Sequence, residues 1–207
     1  NFAQSLNLGV IEKCTIFSGN GAVTNSGSST FDGIIGTDYG GLTGFNANAT
    51  TYTTHSADAF TVQAKIDILN AFILLNNVPV TNITHAPGFA AETLTPGVYL
   101  VGEAINVSGS ITLSGSATDF YIFKAQGALN FADGTTINLG NVLPENVFWL
   151  AEGAITATGT CSLAGTLIAH PGAVTLGSGS TLVGRALSTT GAINIGPGSA
   201  TLPNGAS

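Results

Sequence analysis

Apolar and polar residues alternate in short runs along most of this 207-residue chain, and glycine punctuates the runs. One unit recurs six times: a lead residue, Ala, an aliphatic residue, then Thr or Asn. It reads Gly21-Ala22-Val23-Thr24, Glu103-Ala104-Ile105-Asn106, Gly127-Ala128-Leu129-Asn130, Gly153-Ala154-Ile155-Thr156, Gly172-Ala173-Val174-Thr175 and Gly191-Ala192-Ile193-Asn194. The units share their flanks too. Upstream lie runs such as Tyr121-Ile122-Phe123, Val147-Phe148-Trp149 and Thr166-Leu167-Ile168; downstream come Gly-Ser or Gly-Thr corners such as Gly159-Thr160 and Gly179-Ser180. A third run follows the corner, as in Ile111-Thr112-Leu113 and Ile137-Asn138-Leu139.

Three alternating runs per repeat, turned by glycine, predict one three-sided coil of a β-helix. A lone coil cannot bury its apolar side, whereas stacked coils share a continuous core. The chain therefore reads as mainly β, a solenoid of about six coils forming a single domain over residues 1–207. The period of two points Ile105, Leu129, Ile155, Val174 and Ile193 inward and sets the Ala and Thr/Asn of each unit outward on one face.

The interval between Thr24 and Asn106 is too long for one coil. Within it Val62, Ile66, Leu69 and Ile73 recur at three- and four-residue spacing, with Gln63, Asp67 and Asn70 on the other side. This predicts one helix over about 56–78, capped by Ser56 and stopped by Pro79, lying alongside the solenoid to cover an apolar flank.

Composition sharpens the picture. Only 7% of residues are charged, against about 25% in ordinary globular domains, and mean hydropathy is +0.40. A disordered chain has the opposite balance, and no apolar run reaches the length that spans a membrane. The surface must be built from Ser, Thr, Asn, Gly and Ala. Net charge is −7, and the four cations, Lys13, Lys65, Lys124 and Arg185, are too scattered to neutralise phosphates, so nucleic acid is excluded as a partner. The N-terminus carries no basic or apolar leader signal, as expected of an exported chain whose leader has been removed or of a trimmed one.

Catalytic and metal chemistry find little support. Glycoside hydrolysis needs two facing carboxyls, yet the eleven acids are spread out, and Glu103 and Glu152 share a row with Gln126 between them. His55, His85 and His170 lack metal-ligand spacing. Gly177-Ser178-Gly179 reads as a corner, since no helix follows it to hold a phosphate. Cys161 aligns with the inward Ile111 and Cys14 with Gly165; along a coil these places are about 13 Å apart, beyond the ~7 Å a disulfide allows. Two free thiols are expected.

The repeats and the interrupting helix together resemble a known family, the microbial ice-binding (antifreeze) proteins with a discontinuous right-handed β-helix and an alongside α-helix. The segments carrying the resemblance are Leu8-Gly9, Gly21 to Gly27, Gly33-Ile34-Ile35-Gly36-Thr37, Leu94-Thr95-Pro96-Gly97-Val98-Tyr99, Val147-Phe148-Trp149 and Leu187 to Asn194. The resemblance implies a secreted, monomeric protein without a cofactor or enzymatic activity, whose partner is an ice crystal surface. It also implies that the N-terminal coil docks beside the C-terminal coil. Several members carry Thr-Ala/Gly-x-Thr/Asn on the ice-binding face; here the last three positions fit, while the lead is Gly in five units and Glu103 in one. The expected face is Ala22/Thr24, Ala104/Asn106, Ala128/Asn130, Ala154/Thr156, Ala173/Thr175 and Ala192/Asn194. The alternative is the third-run face with Thr112, Asn138, Ser162, Thr181 and Thr201. The competing functional reading is a β-helical protein that binds or degrades polysaccharide.

Overall fold

Strands of two to eight residues, rich in Val, Ile, Leu and aromatic side chains, stack in parallel over the described residues, 6–46, 48–81 and 85–203 of a computed structural model. They assemble into an eight-stranded and a thirteen-stranded sheet. The eight-stranded sheet runs in the order Leu42–Thr43, Val23–Asn25, Ile193–Ile195, Val174–Leu176, Ile155–Ala157, Leu129–Phe131, Ile105–Ser108 and Gly88–Ala90. The six rungs marked by the repeat are thus consecutive, and one further rung extends the stack at each end. Spatial order departs from chain order at one place: Val23–Asn25 lies beside Ile193–Ile195, and Cys14–Ser18 beside Thr181–Ser188.

The predicted alternation is realised. Ile105, Leu129, Ile155, Val174 and Ile193 are each 0% exposed, and join Phe123, Trp149 and Leu167 in one core that runs the length of the solenoid. Aromatic rings stack along it, Phe123 on Trp149 at 3.9 Å between centroids. Corner glycines such as Gly159 (φ 66°) and Gly179 (φ 84°) take the left-handed turn that L-residues resist.

First-run strands such as Val147–Ala151 are buried on both sides, because their outer residues meet the helix, α1 (Ala59–Asn76). Phe17, Val98, Ile122, Phe148, Leu150, Ile168 and Leu187 form a second core with Ala64, Ile68, Ala71, Phe72 and Leu75 of α1. Here the structure corrects the expected helix. Its cap is Asp58, whose Oδ1 accepts the Thr61 N–H at 3.0 Å, in place of Ser56. The stripe of Val62, Ile66, Leu69 and Ile73 faces outward at 54%, 47%, 40% and 48% exposure. α1 is apolar on most of its circumference, so periodicity offered two stripes; Ala64 and Ala71 let the backbone approach the sheet, which selects the other.

Three of the four cations hold these pieces together. Lys124 donates from Nζ to the Asn76 and Val78 carbonyls, neutralising the unpaired end of α1. Lys65 pairs with Asp38 at 3.2 Å. Arg185, 1% exposed, donates from Nε and Nη2 to the Glu12 carbonyl and from Nη1 to Thr166, tying the N-terminal segment to the C-terminal coils.

Candidate functional site

With the helix over one side of the solenoid, the eight-stranded sheet presents its outer face to solvent. Cα pairing there is unbroken: Asn106 with Asn130, Asn130 with Thr156, Thr156 with Thr175, Thr175 with Asn194, and Asn194 with Thr24. All six outward residues named from the sequence therefore stand in one row, about 4.8 Å apart as neighbouring strands require. The row continues to Thr43 beside Thr24 and to Gly88 beside Asn106. Neither end carries the repeat's signature: Gly41-Leu42-Thr43 has Gly in place of Ala, and Ala86-Pro87-Gly88 has Pro and Gly in place of the aliphatic residue and the Thr or Asn.

The alanines form a second, parallel row. Ile105 N–H donates to Ala128 C=O, Leu129 to Ala154, Ile155 to Ala173, Val174 to Ala192 and Ile193 to Ala22, each at 2.9 Å. The side chains of Thr24, Thr156, Thr175 and Asn194 hydrogen-bond to no described residue, whereas Asn130 Nδ2 donates to Asn106 Oδ1 at 3.0 Å. No Lys, Arg, Asp or Glu occupies either row. The result is a grid of methyls and neutral polar groups.

The glycine that replaces a leading Thr has a steric cause. A Cβ on Gly172 would lie 2.2 Å from the Gly153 carbonyl carbon, and one on Gly191 2.2 Å from the Gly172 oxygen. Backbone rests directly on backbone at this edge of the grid, and a side chain there would force the rungs apart. Glu103 stands at the same position on the rung of Asn106, and is exposed; it is level with Gly127 and Gly153, so it does not share the row of Gln126 and Glu152 expected from the sequence, which lies one residue further out.

The remaining candidates are structural. His55 Nδ1 lies 2.7 Å from the Asp58 carboxylate, which is held below the usual carboxylate range by the Thr61 N–H and by His55. His85 stacks on Phe89 and reaches Glu92 at 3.1 Å. His170 meets Thr189 at 2.8 Å. Among the described residues no group of three or more His, Cys, Asp or Glu could hold a metal, and no helix is long and apolar enough to cross a membrane. Cys14 and Cys161 are both free and buried; burial pushes the Cys14 thiol up to about 12. Asp133 acts at a corner, accepting the Thr160 N–H at 2.7 Å.

On the third face the unbroken row is Ser110, Thr136, Ser162, Thr181, Ser199 and Thr30, which only in part is the row expected from the sequence. Thr112 pairs with Asn138, but Ser162 pairs with Thr136 and Thr181, and Thr201 with Val183. The five residues expected there fall in two rows, since Thr112, Asn138 and Thr201 each stand two residues beyond the row that holds Ser162 and Thr181.

Comparison with known proteins supplies the family and the fold. The family described as Ice-binding-like matches residues 17–199. An ice-binding protein of Nostoc sp. (strain HG1) is 30% identical over 156 residues, 73% of this chain and 57% of its own length. One from Flammulina populicola is 36% identical over 89 residues, 42% of this chain. Two crystal structures of ice-binding proteins are similar throughout: one from an Antarctic Flavobacteriaceae bacterium (TM-score 0.89, 36% identity, 97% of this chain) and one from an Antarctic biological consortium (TM-score 0.86, 30% identity, 95% of this chain and 90% of that one). The matches span 36% of the Flammulina protein and 48% of the Flavobacteriaceae chain.

Proposed function

The chain belongs to the Ice-binding-like family, and from that premise we propose that it adsorbs to ice through the outer face of the eight-stranded sheet, giving thermal hysteresis and inhibiting ice recrystallisation. The contact residues are Ala22, Thr24, Ala104, Asn106, Ala128, Asn130, Ala154, Thr156, Ala173, Thr175, Ala192 and Asn194. The observation that carries this reading is the unbroken register, over six rungs, of a Thr/Asn row beside a parallel row of alanines.

Rungs about 4.8 Å apart, crossed by outward residues about 6.6 Å apart along each strand, make a grid regular in two directions. Both spacings are close to the repeat scale of hydrogen-bonded water in ice. Methyls shape the hydration layer, while hydroxyls and amides anchor it through water-mediated hydrogen bonds. A fixed charge would hold its own shell and break the order. Rigidity completes the design, since a surface already ordered has little entropy to lose on adsorption. The chain acts as one secreted, monomeric domain outside the cell, needs no cofactor, and performs no catalysis.

Replacing Thr156 or Thr175 with Tyr is expected to lower hysteresis severalfold with the melting temperature of the protein unchanged, because a protruding ring lifts the grid off the lattice. Wild-type protein carrying a fluorophore on α1 should be taken up into growing ice. Undiminished hysteresis in both variants would refute the choice of face, and exclusion of the labelled protein from ice would refute the function.

A further inference from the structure

The grid is not uniform along its length, and its two ends differ in ways that bear on adsorption. Resting on the reading above, we infer that Thr43 contacts ice, and that the working array is the stretch Thr156, Thr175, Asn194, Thr24 and Thr43, displaced toward the docked N-terminal coil.

Register supplies the first support. Thr43 pairs with Thr24 and Leu42 with Val23, and Val23 N–H donates to the Gly41 carbonyl at 2.9 Å. Thr43 is therefore the next member of the row; it is exposed, and its hydroxyl bonds to no described residue.

The second support is flatness. At the edge of this stretch Gly153, Gly172, Gly191, Gly21 and Gly40 stack backbone on backbone. A Cβ on Gly172 or Gly191 would come within 2.2 Å of the rung below, on Gly21 within 2.4 Å and on Gly40 within 2.7 Å. On the far side of Gly153 the stack loosens, with corresponding distances of 3.0 Å at Gly127 and 3.1 Å at Gly153 itself. Beyond that, Glu103 raises an exposed carboxylate in the lead position of the Asn106 rung, one residue nearer the grid than exposed Glu152 stands on the Thr156 rung. A carboxylate holds water more tightly than a hydroxyl does, so it disorders the hydration layer around it.

A third observation concerns the places where water can sit. A shallow open trough of about 330 Å³ runs over the rungs of Thr175, Asn194 and Thr24, lined by these three with Leu176, Ile195 and Pro197. Its lining is mostly apolar, broken by the hydroxyls of Thr24 and Thr175 and the Asn194 amide, so apolar groups shape the hydration layer and the polar ones anchor it. At the other end, Asn130 and Asn106 spend an amide donor and acceptor on each other, leaving fewer groups for the hydration layer.

The test compares four variants by thermal hysteresis, with circular dichroism melting to check folding: Thr43→Tyr, Thr43→Lys, Asn106→Tyr and Thr175→Tyr. Ile66→Gln, on the exposed side of α1, is the neutral control. Thr43 is exposed, so both of its variants should melt as the parent does. Hysteresis is expected to fall about twofold or more in Thr43→Tyr and Thr43→Lys, as the loss of a contact within the array would bring, and by less in Asn106→Tyr. Parental hysteresis in both Thr43 variants, with Thr175→Tyr impaired, overturns this inference and leaves the face standing. Equal loss at Asn106 and Thr43 overturns the displacement of the array. Parental hysteresis in Thr175→Tyr as well means that the face itself was wrongly chosen.

Discussion

Gly191 shows how much a single position can decide. In the Thr-Ala/Gly-x-Thr/Asn pattern its place belongs to a threonine, yet here a side chain would collide with the Gly172 carbonyl at 2.2 Å. The expected outcome of Gly191→Thr is therefore a loss of stability, of about 1–3 kcal/mol as for other overpacked sites, and lower hysteresis, although the substitution restores the motif. Chemical denaturation beside a hysteresis assay checks both; a stable, more active variant would contradict the steric account. The residue-level content of the grid was legible beforehand because alternation alone decides which of Ala154, Ile155 and Thr156 points inward. Why the lead residue is Gly was not legible, since the reason lies on the neighbouring rung 19 residues away, as from 172 to 191. Thr43 was missed for a similar reason: it is fixed by pairing with Thr24, and no local signature accompanies it.

The helix is the element where pattern was least informative. Its existence and length could be read from the three- and four-residue spacing, but the spacing served Val62-Ile66-Leu69-Ile73 as well as Ala64-Ile68-Ala71-Leu75, and small residues at the contact settled which side docks. Two substitutions one residue apart separate the stripes. Ile68→Ala, at 0% exposure, should cost about 2–5 kcal/mol, whereas Leu69→Gln, at 40% exposure, should stay within about 0.5 kcal/mol of the parent. Equal costs in urea titrations would contradict the docking. The cap has its own signature. Asp58 is depressed below its ordinary value by the Thr61 N–H and then by His55, so its contribution is complete above the unfolded carboxylate range. That contribution is lost as pH falls through about 4 toward the lower folded value. Asp58→Asn keeps a capping oxygen and should flatten this part of the stability–pH curve, while Asp58→Ala should cost about 1 kcal/mol at neutral pH.

At the scale of the molecule, two sides of the solenoid do opposite work. Lys65, Lys124 and Arg185 are engaged on the side away from the grid, where they fasten α1 and the N-terminal segment. Charge is thus used for assembly and withheld from the face. This arrangement makes the grid depend on a joint that lies outside it. Thr24 and Thr43 belong to the N-terminal coil, which reaches the row only by docking on Ile193–Ile195. Buried Arg185 holds the Glu12 carbonyl just before that coil begins. Removing the guanidinium leaves the carbonyl without its donors, at a cost of about 1–3 kcal/mol for the unsatisfied group. Arg185→Leu is accordingly expected to speed amide exchange in Cys14–Ser18 and Val23–Asn25 more than in Ile155–Ala157 or Val174–Leu176, since locally weakened units open first. Hysteresis should fall with it, even though Arg185 contacts no part of the grid. Uniformly faster exchange in all four strands would show instead that the solenoid melts as one unit. Unaltered exchange in the N-terminal strands would mean that the strand pairing with Ile193–Ile195 holds the coil without help from this residue.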